Sequence, residues 1–186
     1  MSLYPGIVSA LGGLAVVAFL LALGLAFALS ASDGRGWLRH ALAGREGTPL
    51  ALGLFVALVA TGGSLYLSEI ANLTPCELCW YQRIAMYPLV PLWGIALARR
   101  DFGAWRYGLP LSLAGLAISA YHVTIQWMPA LDVVRCGVGA PCTARYVAVF
   151  GFVSIPTMAG AAFVFISMLF SLARLIEKEA RMGGVT

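Results

Sequence analysis

Residues Leu50–Ile70, LALGLFVALVATGGSLYLSEI, are followed almost at once by Thr74–Arg83, TPCELCWYQR. The first stretch has the length and apolarity of a helix that crosses hydrocarbon, which takes about 20 residues at 1.5 Å rise each. The second places two thiols, an acid and an arginine in ten residues of a chain that is only 11% charged. Fold and chemistry both turn on that boundary.

Four more apolar runs lie around it, so the set is roughly Ile7–Ser30, Leu50–Ile70, Tyr81–Ala98, Leu109–Trp127 and Val147–Ala173. The chain has 186 residues, 61% of them hydrophobic, and a mean hydropathy of +0.88. A soluble domain of this length cannot hide so much apolar surface, and the class is an all-α integral membrane protein. Period-two alternation is absent, which argues against a β-barrel.

A net charge of +4 does not here mean nucleic-acid binding, because the basic residues fall in short clusters between the runs. Arg35, Arg39, Arg45, Arg99, Arg100, Arg106, Arg174, Lys178 and Arg181 lie on one side, against Arg83, Arg135 and Arg145 on the other. The positive-inside rule puts the first group in the cytoplasm, the N-terminus outside and the C-terminus inside. The opening segment MSLYPG has no Lys or Arg and the positive charges follow the first run. That run therefore reads as a retained helix rather than a signal peptide.

All four cysteines fall on the extracytoplasmic side by this count: Cys76 and Cys79 before the third run, Cys136 and Cys142 before the fifth. An even set on the oxidising face suggests disulfides. Structural staples are one reading, but a bridge within either pair closes a very small loop and stabilises little. Small loops are prone to strain, and strained or exposed disulfides tend to be the labile, catalytic ones. A zinc site is another reading, although five residues, GVGAP, separate the second pair and no closely spaced histidine joins it.

Around the first pair, Thr74, Pro75 and Glu77 have the spacing of a capping box with proline at the first helical position. Cys76 then lies in an opening turn whose N–H groups and dipole favour a thiolate. Arg83 follows Cys79 by four residues and can share its helix face. It is either an interfacial, snorkelling arginine or a fixed cation that stabilises charge developing on a thiolate and an acceptor ring. Pro88 and Pro91 predict a kink in the third span. His122, in the outer third of the fourth span near Tyr121 and Gln126, is a candidate functional histidine or an interfacial hydrogen-bonding one. Trp80, Tyr81 and Trp127 suit an aromatic belt.

PCELCWYQR followed by MYP, the second pair in CGVGAPC, and FGFVSIP at the last span together resemble the DsbB family, and within it the BdbC-type branch with a short second cysteine loop. The resemblance covers about residues 50–173. It implies a four-helix transmembrane bundle, to which the Ile7–Ser30 helix is an addition. It also implies a bacterial membrane oxidoreductase that reoxidises a thioredoxin-like, DsbA-type dithiol partner and passes the electrons to quinone, ubiquinone or menaquinone. In that scheme the partner attacks a Cys136–Cys142 disulfide at Cys136, and Cys142 attacks Cys76. Cys79 donates to quinone beside Arg83, and His122 resembles a histidine near the quinone.

Gly137, Gly139 and Pro141 give the second cysteine loop turn-forming residues. The expected organisation is residues 1–49 as the extra helix and a cytoplasmic connection, 50–175 as the redox bundle, and 176–186 as a cytoplasmic tail. Vitamin K epoxide reductase-like chemistry is the nearest alternative, but there the loop pair precedes the Cys-x-x-Cys span. A thiol-based metal carrier is the alternative from another class.

Overall fold

The computed structural model describes residues 3–133, 136 and 140–183, so Arg135, Gly137 and Gly139 lie outside the described residues. The first run is one helix, α1 (Leu3–Ser30). A short helix the sequence reading did not anticipate, α2 (Ser32–Leu42), follows in the connection. It is amphipathic, with Leu38 buried and Trp37 exposed, as a helix lying along an apolar surface should be.

The second run is α3 (Thr48–Leu65), with Pro49 in the first turn where a missing N–H costs no helix bond. It widens into one π-helical turn at Tyr66–Ile70. The third run is broken into α4 (Glu77–Met86) and α5 (Leu89–Arg99). The break falls at Tyr87–Pro88, because proline offers no N–H to the preceding turn. Pro91 sits in the first turn of α5 and disturbs nothing. Pro88 thus divides the span rather than only bending it.

The fourth run is α6 (Trp105–Trp127) and the fifth is α7 (Ile155–Gly183). The last helix starts eight residues later than its apolar run. Val149 and Val153 exchange backbone hydrogen bonds of 3.0 and 2.9 Å across a tight turn, with Phe150 and Gly151 at φ 54° and 79°. A left-handed turn cannot continue a helix, so apolarity alone misplaced its start. At the other end α7 runs on through Lys178 and Arg181, so most of the expected tail is helix.

Pro5–Ser30, Thr48–Ile70, Phe102–Trp127 and Ile155–Met182 are each long and apolar enough to cross a membrane. With the broken α4–α5 pair they give a four-crossing all-α bundle (α3, α4–α5, α6, α7) plus α1. Close approach is achieved with glycine: a side chain at Gly108 or Gly115 would overlap the rings of Phe170 or Phe163. Trp93 stacks on Phe170 with ring centroids 4.0 Å apart, and Ser167 donates to Ser112 at 2.9 Å between α7 and α6. Small residues and buried hydroxyls are how helices associate where hydrocarbon gives no hydrophobic drive.

The two ends of the bundle differ. At one end Glu177 accepts from Trp105 Nε1 at 2.7 Å and pairs with Arg106 and Arg181, each at 2.8 Å. The cysteines gather at the other end.

Candidate functional site

α4 begins two residues later than a capping box at Thr74 requires. Cys76 is extended (φ −76°, ψ 173°) and is itself the N-cap, its sulfur accepting from the Cys79 backbone N–H at 3.4 Å. Thr74 and Pro75 are outside the helix and Glu77 is its first residue. The thiol replaces the hydroxyl as cap, which places Cys76 more directly on the unpaired N–H groups than the capping box would.

Cys76 and Cys79 are free thiols, with sulfurs 2.8 Å apart. His122, 2% exposed, brings its Nε2 to 3.7 Å from Cys76 Sγ. The hydrogen bond with Cys79, and after it the hydrogen bond with His122, draw the Cys76 thiol down to about 4 against the opposing effect of burial. Cys76 is therefore the charged member of the pair.

The second pair is oxidised: Cys136 and Cys142 form a disulfide with Cα atoms 5.9 Å apart. Cys142 is 1% exposed whereas Cys136 is only partly buried. All four cysteines, with Leu78, Ile118, Tyr121, Ile125 and Ala140, belong to one apolar cluster. The loop with Cys142 is pinned to the last turns of α6. His122 Nε2 lies 3.1 Å from the Cys142 carbonyl oxygen, Gln126 Nε2 donates to the Ala144 carbonyl at 3.2 Å, and Arg145 donates to the Gln126 carbonyl at 3.4 Å. Since a carbonyl only accepts, Nε2 carries the proton, and Nδ1 is left to accept from the Gln82 amide at 3.4 Å.

Below the first pair lies a cavity of about 340 Å³ whose walls come from α1, α3 and α7 and whose polar end holds Cys76, Cys79, Gln82, Arg83 and His122. Arg83 is 8% exposed, so it does not snorkel. Its Nε donates to Ser64 Oγ and its Nη2 to the Ser64 carbonyl, both at 3.0 Å, and its guanidinium lies 5.0 Å from the Trp80 ring centroid. Ser68 Oγ also donates to that carbonyl at 3.3 Å, just where α3 passes into its π-helical turn. The irregular backbone is satisfied by side chains, and it orients a buried cation.

The sequence thus nominated Cys76, Cys79, Cys136, Cys142, Arg83 and His122, and the fold brings these six to one end of the bundle. Ser64 and Gln82 were missed. Gln82 stood inside the quoted motif, and a hydroxyl in an apolar span was the only signal for Ser64. A four-thiolate zinc arrangement is not formed, since Cys136 and Cys142 bond to each other. Cys76, Cys79 and His122 keep ligand atoms within 4.8 Å of one another.

Residues 46–173 match the family model described as disulfide bond formation protein DsbB. The chain belongs to the DsbB family. Among its relatives, a probable disulfide formation protein of Oceanobacillus iheyensis is 47% identical over 125 residues, covering 66% of this chain and 84% of the relative. Disulfide bond formation protein C of Bacillus subtilis is 45% identical over 125 residues, 67% and 91% of the two chains. A probable disulfide formation protein C of Halalkalibacterium halodurans is 47% identical over 124 residues, 66% and 88%. No solved structure matches the chain. It is a BdbC-type DsbB protein, a multi-pass bacterial membrane oxidoreductase that forms disulfides, and α1 and α2 lie before the matched region.

Proposed function

We propose that this DsbB-family protein oxidises the dithiol of a thioredoxin-fold, DsbA-like partner outside the cytoplasmic membrane and passes the electrons to a membrane quinone, ubiquinone or menaquinone. The basic residues that follow α1 and those at the ends of α5 and α7 support a cysteine end on the extracytoplasmic side, with the N-terminus there as well, by the positive-inside rule. One observation carries the reading. The two cysteine pairs share one apolar cluster, and the Cys76–Cys79 pair also lines the apolar-walled cavity bounded by α1, α3 and α7.

The cavity fits a quinone, with apolar walls for a tail and, at one end, a buried guanidinium beside two thiols. A quinone bound there supplies an acceptor for two electrons and two protons. Everything else is done by the chain. The partner's thiolate attacks Cys136, the more accessible sulfur, and the Cys136–Cys142 bond breaks with its electron pair on Cys142. With Cys76 and Cys79 joined, Cys142 attacks Cys76 and Cys79 leaves as a thiolate. The partner's second thiol then displaces Cys136 and releases an oxidised partner. Cys136 attacks Cys142, which restores the loop disulfide and leaves Cys76 and Cys79 as a dithiol carrying the two electrons. One oxidised and one reduced pair are the state seen here.

His122 Nε2–H holds the Cys142 carbonyl and faces Cys76 Sγ, stabilising charge on the sulfur that exchange passes through. Arg83, fixed by Ser64, stabilises negative charge developing at the cavity end. Purified protein supplied with a reduced thioredoxin-fold partner should turn over with ubiquinone and menaquinone tested side by side. Cys79→Ser should abolish quinone reduction. Intact quinone turnover in that variant would sink the mechanism.

A further inference from the structure

The family match leaves α1 without a role, yet α1 supplies one wall of the cavity that ends at Cys79 and Arg83. Leu11, Leu14, Ala15, Ala18 and Leu21 line it; their spacing puts them on one helix face. The facing wall is α3, through Leu52, Phe55, Val56 and Val59. Leu11, near the start of α1, packs against Gly63 near the far end of α3.

α1 leans chiefly on α7, and Gly12 lies hard against Val149. A slot is left between α1 and α3. Its rim is apolar and half exposed: Leu14 49%, Val17 53%, Leu21 54%, Leu52 42% and Phe55 59%. From Leu11 to Leu21 it runs about 15 Å along the helix, far longer than a quinone ring alone needs. It joins the polar end of the cavity without interruption, so its occupant is the apolar continuation of whatever is bound at Cys79 and Arg83.

We propose that α1 is the tail-binding wall of the acceptor site, its Leu11–Leu21 face and α3 together holding the isoprenoid tail of the quinone. This rests on the quinone reading above. It makes α1 a determinant of which tail lengths are accepted.

The test uses the full chain in lipid nanodiscs and two photoreactive ubiquinones, one with its azide on the ring and one with it on the tail. Cross-linked peptides are mapped by mass spectrometry. The ring probe should label near Cys79 and Arg83, and the tail probe should label residues 11–21 and α3. Leu14→Ala/Leu21→Ala should weaken long-tailed ubiquinone binding at least fivefold and leave a tail-less analogue within twofold. Leu20→Ala/Leu23→Ala, on the exposed side away from the slot, should change neither. A ring label in place with the tail label absent from α1 overturns the α1 assignment alone. So does equal loss of long-tailed and tail-less binding. A ring label away from Cys79 and Arg83 overturns the quinone reading, and the α1 assignment with it. Tail label found only on lipid overturns the slot as the tail's path.

Discussion

His122 and Cys142 are joined by a hydrogen bond, Nε2–H to carbonyl oxygen at 3.1 Å, and the same Nε2 lies 3.7 Å from Cys76 Sγ. One imidazole on α6 therefore touches the donor loop and the receiving thiol together. His122→Ala should slow transfer between the two pairs by roughly 10- to 100-fold, since a hydrogen bond to a charged group contributes about 1.5–3 kcal/mol. His122→Gln, whose amide nitrogen can reach toward the Nε2 position, should recover part of it. Quench-flow trapping of the reduced loop pair reads this step without quinone. Equal rates in wild type and His122→Ala would remove His122 from the relay.

The charged thiol has a pH signature. An ordinary cysteine ionises near ~8.5, whereas Cys76 is drawn down to about 4 by its bonds to Cys79 and His122. Because the pKa is lowered, the thiolate persists from neutral pH downward and is lost only as pH falls through about 4. The ultraviolet thiolate absorbance of reduced protein, taken as a difference from Cys76→Ser, should stay flat between about pH 8 and pH 5. A signal that rises only above pH 8 would show that the N-cap and His122 do not stabilise the anion.

Ser64 holds Arg83 through two 3.0 Å hydrogen bonds, one from Nε to its hydroxyl and one from Nη2 to its carbonyl. Ser64→Ala removes only the first, at a cost of about 1–3 kcal/mol for the donor left without its partner. Quinone KM should rise several-fold, while reduction of the loop disulfide by the partner keeps its rate. Arg83→Gln should raise KM further, and Arg83→Lys should restore charge without the two-pronged geometry and recover little. Unchanged KM in Ser64→Ala would mean that the serine does not position the guanidinium.

Packing between α6 and α7 gives a stability prediction. A Cβ at Gly108 would overlap the Phe170 ring, which is itself stacked on Trp93. Gly108→Val should lower stability by about 1–3 kcal/mol through overpacking, seen as a lower thermal midpoint in detergent. Gly13→Ala, where nothing lies within 4 Å of the added carbon, should leave the midpoint in place.

Hydrophobic runs were enough to place α1, α3, α6 and the body of α7, because hydrocarbon imposes length and apolarity on any helix that crosses it. Backbone chemistry, which hydropathy does not register, decided the rest. Pro88 split the third span, the left-handed pair Phe150–Gly151 delayed α7, and the Cys76 sulfur displaced Thr74 as the cap. Cysteine spacing and the arginine one turn on pointed to the chemistry proposed for the site. Its wiring was not readable, because Ser64 meets Arg83 and Gln82 meets His122 across helices that one sequence does not pair.

The central claim is that Cys142 hands electrons to Cys76, and it can be tested with these two sulfurs alone. In a Cys79→Ser/Cys136→Ser variant, mild oxidation should join Cys76 to Cys142, and mass spectrometry of the digested protein should show that linked peptide as the main disulfide product. Two free thiols after oxidation, or only intermolecular disulfides, would contradict a direct relay between the loop and the head of α4.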